Sequence, residues 1–120
     1  MSVISIRGAI TVNENSVLDI LQSTKELLTE INNNNIIDKE KVISILFSCT
    51  NDLNKAYPAK AARDLGYTQC SLMCFHEMEV ENSLRKCIRV MILYESDIEQ
   101  KNVNHIYLKG AKILRPDLTK

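Results

Sequence analysis

The hydrophobic residues of this chain recur with two different periods. Between positions 17 and 31 they come every three or four residues, the spacing of a helix with one buried face, while charged and amide side chains take the other positions. Asn13 or Asn15 is predicted to cap the start of this helix. The run of four asparagines at 32–35 is predicted to end it, because asparagine favours turns over helix interiors.

A second, shorter helix is predicted from Tyr57 to Leu65. Pro58 suits its first turn, where no backbone N–H is needed, and Gly66 suits the position after its C-terminus. Lys60 and Arg63 are three residues apart, so they are expected to share one face of the helix.

The other apolar runs are short and rich in β-branched residues, which is typical of strands. A strand is predicted at 3–6, with Arg7, Gly8 and Ala9 at its end and further extended chain at 10–12. Residues 42–49 form an almost unbroken apolar run, as expected for a strand covered on both faces. Further strands are predicted at 71–75, 87–94, 105–108 and 111–114, with a bend at Gly110.

These elements predict one α+β domain over residues 1–120, with a mixed sheet of about five strands and two main helices on one face. Two helices can cover only one side of such a sheet. Because the strands are apolar on both sides, the other face is expected to be buried by association between copies of the chain.

Composition narrows the classes of partner. Fifteen lysine and arginine residues balance 15 aspartate and glutamate residues, so no bulk basic field favours nucleic acid or an anionic membrane. We find no signal peptide and no apolar run of membrane-spanning length, and therefore expect a cytoplasmic protein. The four cysteines are expected to be reduced, and their spacing predicts no metal site.

Charged and reactive side chains occur next to two predicted strands. Glu77 follows one apolar run and Arg89 lies inside the next, where a charge is costly unless it is paired or used. Arg89 has two readings at this point, a ligand-binding cation or one half of a buried ion pair with Glu77. Glu77 itself is a general base, a hydrogen-bond acceptor or a structural partner of Arg89. For Cys74, core packing is favoured over a nucleophilic role.

Further basic residues lie at the ends of predicted elements, namely Arg7, Lys60, Arg63 and Arg115. Arginine grips a carboxylate with two parallel hydrogen bonds, so several arginines in one pocket suit a ligand with more than one carboxylate. Tyr107 either contacts that ligand through its hydroxyl or fills the core, and the core is favoured. The residues thus indicate a polyanion pocket and leave its reaction open.

Six short motifs, in this order and spacing, resemble one enzyme family. They are Arg7-Gly8-Ala9, residues 57–63 (YPAKAAR), residues 74–78 (CFHEM), residues 86–90 (KCIRV), residues 105–108 (HIYL) and residues 114–118 (LRPDL). The family is that of the small monofunctional chorismate mutases built as homotrimeric pseudo-α/β barrels, in contrast to the all-helical chorismate mutases. The resemblance extends over essentially the whole chain.

The resemblance implies an isomerase that converts chorismate to prephenate, on the route to phenylalanine and tyrosine, without a cofactor. Arg89 would stabilise charge on the ether oxygen of chorismate, while Glu77 and Cys74 would bind the ring hydroxyl. Arg7 and Tyr107 would hold the side-chain carboxylate. The remaining site residues would be Tyr57, Lys60 and Arg63 from the adjacent subunit, with Leu114 and Arg115 at the mouth.

Some positions depart from the usual pattern of the family, among them Tyr57, where phenylalanine is common, and Met73, which is bulkier than usual. None of the departures removes a charged group that the chemistry requires. Two alternatives are a trimeric enamine/imine deaminase, which also binds small carboxylates between subunits, and a non-catalytic trimer that senses a dicarboxylate.

Overall fold

The computed structural model describes residues 2–118, which form one mixed sheet with helices on one side. The strands are β1 (Val3–Thr11), β2 (Val42–Cys49), β3 (Ser71–His76), β4 (Cys87–Glu95) and β5 (Ile106–Leu108). Their order across the sheet is β3-β2-β4-β1-β5. The strand β4 runs antiparallel to both β1 and β2, whereas β3 and β5 join the edges in parallel. The predicted α+β class and the number of strands are confirmed.

Two α-helices, α1 (Val17–Asn35) and α2 (Pro58–Asp64), cover one face of the sheet. The core between the helices and the sheet contains fully buried side chains from α1 and from the three central strands, such as Leu27, Ile6, Phe47 and Ile92. Residues on alternate positions of the same strands point to the opposite face. None of the described helices has the length and apolarity needed to cross a membrane.

That opposite face, which we call the open face, is uncovered in the single chain and exposes several apolar side chains. Met73 is 56% exposed and Phe75 46% exposed, and Val3 and Ile43 are similarly accessible. On β2, buried residues alternate with half-buried ones, so the expectation that this strand is covered on both sides is not met within one chain. Exposed apolar side chains gathered on one face of a sheet are typical of a protein–protein interface.

The N-terminal segment differs from its prediction in two ways. Arg7-Gly8-Ala9 lies inside a continuous strand β1 because Gly8 lets β5 approach closely: a Cβ atom there would lie 2.7 Å from the Ile106 carbonyl oxygen. The helix α1 is capped by Ser16, whose hydroxyl accepts a hydrogen bond from the Asp19 amide, and not by Asn13 or Asn15.

The asparagine run does not end α1 as predicted. The helix continues through Asn35 and stops at Ile36, which has a left-handed backbone with φ of 53°. The amide side chains of Asn34 and Asn35 donate to helix carbonyls one turn back, and Asn35 also exchanges hydrogen bonds with the backbone of Asn104. Contacts distant in sequence therefore outweigh the weak local preference of asparagine.

The predicted strand at 111–114 is wrong. A left-handed residue, Lys109, ends β5, and the chain continues as a 3₁₀ helix over Lys109–Leu114. Gly110 belongs to this helix, where its amide donates to the Thr11 hydroxyl. The helix buries Ala111 against Tyr107, so the apolar residues of this segment serve packing without strand pairing.

Candidate active site

Glu77 and Arg89 form an ion pair on the open face of the sheet. Arg89 lies directly opposite Ser48 in the pairing of β4 with β2, and paired residues point to the same side. Glu77 follows the end of β3, where its amide donates to the Cys49 carbonyl at 2.8 Å. The Nε atom of Arg89 lies 3.0 Å from Oε2 of Glu77, with about a third or less of each side chain exposed.

Glu77 is held as a carboxylate. Burial raises its pKa, but the hydrogen bonds from the Ser48 hydroxyl and the Met78 amide, together with the charges of Arg89 and Arg7, lower it below the ordinary value. A carboxylate that accepts this many interactions is a poor proton acceptor near neutral pH. The geometry therefore favours an ionised acceptor over a general base.

Arg89 has unused hydrogen-bonding capacity. Although Nε is close to the Glu77 carboxylate, its N–H is not aligned with it, and this buried nitrogen has no hydrogen-bond partner among the described residues. A buried donor without an acceptor is costly. Because Nε itself is inaccessible, a ligand on the open face would meet the charge of the guanidinium through the part of the side chain that stays exposed, about a third.

Arg7 and Tyr107 lie near this pair on neighbouring strands. Arg7 is exposed on β1, where alternation puts it on the same face as Ala9, which pairs with Arg89. Tyr107 pairs with Ala9 from β5 and is only 6% exposed. Its ring packs with Ala9, Cys87 and Ala111, with Leu114 at the margin, so the preferred core role of Tyr107 agrees with its burial.

The end of the chain brings Arg115 to the same side. Its guanidinium makes two parallel hydrogen bonds to Asp117, at 3.0 and 2.9 Å, and both side chains are accessible to solvent. The Asp117 carboxylate therefore occupies the paired N–H donors of Arg115, which the sequence predicts to bind a carboxylate of the ligand.

A second group of predicted residues lies elsewhere. Cys74 pairs with the buried Phe47 and points to the helix side of the sheet, away from Glu77 and Arg89. It lines a cavity of about 500 Å³ together with Tyr57, which is 74% exposed. Within one chain Cys74 cannot share a hydroxyl group with Glu77, because the sheet separates them.

Lys60 and Arg63 belong to this second group. Both are exposed on α2, and Lys60 contacts Asp64 at 3.5 Å. Burial raises the pKa of the Cys74 thiol, while a backbone hydrogen bond from Ala59 and the charge of Arg63 offset part of the rise. A thiol in this state is protonated at neutral pH, which fits a contact residue and not a nucleophile.

Glu77 also lines a larger cavity of about 720 Å³, bounded by the loop after β3 and by the loop that starts at Thr50. The two carboxylate oxygens of Asp52 share the N–H of Lys86, and the Thr50 hydroxyl accepts a hydrogen bond from the Cys87 amide. These contacts fix the start of β4 two residues before Arg89. Through Glu77 the cavity adjoins the ion pair.

Two residues with roles at the site were missed in the sequence. Ser48 lies within the almost unbroken apolar run at 42–49, and a hydroxyl at an alternate position of a strand indicates the face opposite the core. The Nδ1 atom of His105 accepts a hydrogen bond from the Arg7 amide at 2.9 Å, a contact between residues 98 positions apart. No local pattern indicates that contact.

Comparison with known proteins identifies the family of the chain. Residues 3–118 match the sequence model of a family described as chorismate mutase type I. The chain belongs to that family. As a chorismate mutase it is an isomerase, and the predicted family is confirmed, which disfavours the enamine/imine deaminase and sensor alternatives.

Individual relatives support the assignment over nearly the full length. The chain is 42% identical to "Chorismate mutase AroH" of Bacillus subtilis (strain 168), with 99% of this chain and 94% of the relative covered. It is 43% identical to the protein of the same name from Thermus thermophilus, covering 94% and 93%. A solved structure, "Chorismate mutase from Clostridium thermocellum Cth-682", superposes with a TM-score of 0.88 at 45% identity, covering 91% of this chain and 97% of that one.

Proposed function

We propose that this chorismate mutase converts chorismate to prephenate by electrostatic catalysis, with Arg89 as the cation beside the ether oxygen. In this rearrangement the ether C–O bond breaks as a C–C bond forms, and no proton or covalent adduct is needed. Electron density accumulates on the ether oxygen in the transition state. A fixed donor aimed at that oxygen lowers the barrier because its interaction is stronger in the transition state than in the substrate.

The observation that carries this proposal is the ion pair of Arg89 with Glu77 on the open face, which leaves about a third of the Arg89 side chain exposed. The Glu77 carboxylate holds the guanidinium in place at 3.0 Å yet leaves donor capacity free for a ligand. Glu77 in turn accepts the ring hydroxyl of the substrate, which suits a carboxylate whose pKa is kept low.

The remaining groups hold the two carboxylates and the compact conformer of the substrate. Arg7 binds the side-chain carboxylate on the open face, assisted by the hydroxyl of Tyr107. Leu114 and Arg115 lie at the end of the chain and close the mouth of the site, with Arg115 exchanging Asp117 for a ligand carboxylate. Holding the reacting carbons within bonding reach removes much of the entropy cost of the reaction.

We propose further that each site lies between two subunits of a homotrimer. One chain supplies the half that contains Arg7, Glu77 and Arg89, and its neighbour supplies Tyr57, Lys60, Arg63 and Cys74. The separation of Cys74 from Glu77 by the sheet supports this division, since both can contact one hydroxyl only from different chains. The exposed apolar residues of the open face, such as Met73 and Phe75, supply surface for the assembly.

We also place the enzyme in the cytoplasm. All four cysteines are free, and unpaired thiols in a chain of this size suit a reducing compartment.

The test is the loss of chorismate absorbance in the ultraviolet, with prephenate as product, for the purified wild type and for Arg89→Ala. We expect turnover by the wild type and a loss of about 10⁴-fold or more in the variant, because a charged donor is about twice as strong as the neutral donors whose removal costs about 10²–10³. Lys101→Ala, which removes an exposed ion pair with Glu99, is the control and should keep full activity. An inactive wild type would refute the function, and an active Arg89→Ala would refute the role of Arg89.

A further inference from the structure

Two side chains take the place of a strand along the outer edge of β1. The strand β5 pairs with β1 only from Gly8 onward. Before that point the amide group of Gln100 bonds both the N–H and the C=O of Ser5, at 2.9 and 2.7 Å. The next outward-facing amide, that of Arg7, donates to Nδ1 of His105 at 2.9 Å. The outward-facing amides of Ser5 and Arg7 therefore each have a defined partner, which shields this part of the strand edge.

The contact of His105 has a different consequence from that of Gln100. Gln100 holds Ser5, for which we assign no role in the site, whereas His105 holds the backbone of Arg7, whose guanidinium binds the substrate carboxylate in the proposed function. An amide group does not titrate near neutral pH, but an imidazole does. The acceptor lone pair on Nδ1 exists only in the neutral ring that carries its proton on Nε2.

We propose that His105 is a positioning residue for Arg7: its neutral Nδ1 fixes the strand backbone that carries the guanidinium, and protonation of the ring weakens capture of the substrate. This proposal rests on the proposed role of Arg7 in carboxylate binding. It assigns His105 no contact with the reacting atoms. The expected effect lies in KM more than in kcat, because Arg7 holds a carboxylate remote from the breaking bond.

The charges around the imidazole agree with this role. His105 is partly buried, and the groups that act on it are Arg115 from the end of the chain and Arg7 from β1, with Asp117 paired to Arg115. Burial first, and then the charges of Arg115 and Arg7, lower the pKa of His105 below its ordinary value of 6.5. The neutral ring therefore persists at neutral pH, and the acceptor is lost only below the ordinary pKa of histidine.

Three variants separate positioning from general support of the strand edge. In His105→Asn the amide oxygen occupies about the place of Nδ1 and accepts the same bond without titrating. In His105→Leu the acceptor is removed. Gln100→Leu is the matched control, because it removes the neighbouring contact of the same edge two residues earlier. Each is assayed for kcat and KM with chorismate between pH 5 and 8.

We expect His105→Leu to raise KM about three- to tenfold, the effect of one lost hydrogen bond, with kcat changed less. His105→Asn should restore the KM of the wild type at pH 7.5. It should also abolish the acid decline of kcat/KM, which reports groups of the free enzyme. An unchanged KM in His105→Leu, an equal rise in Gln100→Leu, or an acid decline retained in His105→Asn would each overturn the proposal.

A readout without activity keeps this test independent of the proposed function. The chain has two histidines, so ¹⁵N NMR of the imidazoles, with His76→Gln to assign the signals, reports the tautomer of His105 directly. We expect the proton on Nε2 and a titration below 6.5. A proton on Nδ1 would refute the hydrogen bond even if all variants were too unstable to assay. Loss of all chorismate turnover in the wild type with the expected tautomer would instead count against the proposed function.

Discussion

If each active site lies between two subunits, two inactive variants that are changed in different halves of the site should regain activity when they assemble into one trimer. The perturbation is a pair of variants, Arg89→Ala in one half of the site and Arg63→Glu in the other. Arg63 is exposed on α2, so reversal of its charge should leave the fold intact while repelling a dicarboxylate. Arg89→Ala breaks an ion pair that is about one-third exposed, which costs about 1 kcal/mol of folding free energy, and Glu77 keeps its bonds to Ser48 and Met78.

The expected recovery follows from the symmetry of a trimer. When equal amounts are unfolded and refolded together, about three quarters of the trimers contain both variants. Each mixed trimer has one interface at which both contributing halves are intact, so about a quarter of the wild-type sites are regenerated. Separately, Arg89→Ala loses about 10⁴-fold and Arg63→Glu about 10²-fold of kcat/KM, since the Coulomb energy of reversing one charge near a dianion is about 3 kcal/mol.

The assay is chorismate consumption by the refolded mixture, compared with each variant refolded alone and with the two mixed after refolding. The matched control is Arg89→Ala refolded together with the single variant Arg7→Ala. Both changes fall in the same half of the site, so these two variants should not complement each other. Activity of the Arg63 mixture no higher than the sum of its separate components would refute the shared site. Recovery in the Arg7 control would show that our division of residues between the halves is wrong.

Two further predictions concern the support of the site. Gly8→Ala should destabilise the fold by about 2 kcal/mol or more in urea unfolding, because a Cβ atom would lie 2.7 Å from the Ile106 carbonyl oxygen, and a stable variant would contradict the tight β1–β5 contact. Ser48→Ala should raise the pKa of Glu77 and lower stability at pH 7 by about 1–2 kcal/mol. A carboxyl group whose pKa is lower in the folded than in the unfolded state stabilises the fold fully at pH values above the unfolded pKa, and this stabilisation is lost as the pH falls through the folded pKa. The difference in stability between Ser48→Ala and the wild type should therefore shrink in acid. A difference that stays constant with pH would contradict the charge-assisted hydrogen bond.

Much of the fold was decided by periodicity in the sequence. Both helices, and all five strands apart from their ends, follow from spacing that buries one side of each element, and these patterns survive in any packing that has a core. The sequence also indicated Arg89 and Glu77 as candidate site residues, because they lie in or next to strands where an unused charge would be costly.

The tertiary structure decided what depends on contacts distant in sequence. The asparagines of α1 stay helical because Asn35 bonds to Asn104, and residues 111–114 leave the sheet because Ala111 packs under Tyr107. Motif order suggested that Cys74 acts beside Glu77, yet strand pairing puts the two on opposite faces of the sheet. The bond of His105 to Arg7 spans most of the chain, so only the folded structure could bring it to notice.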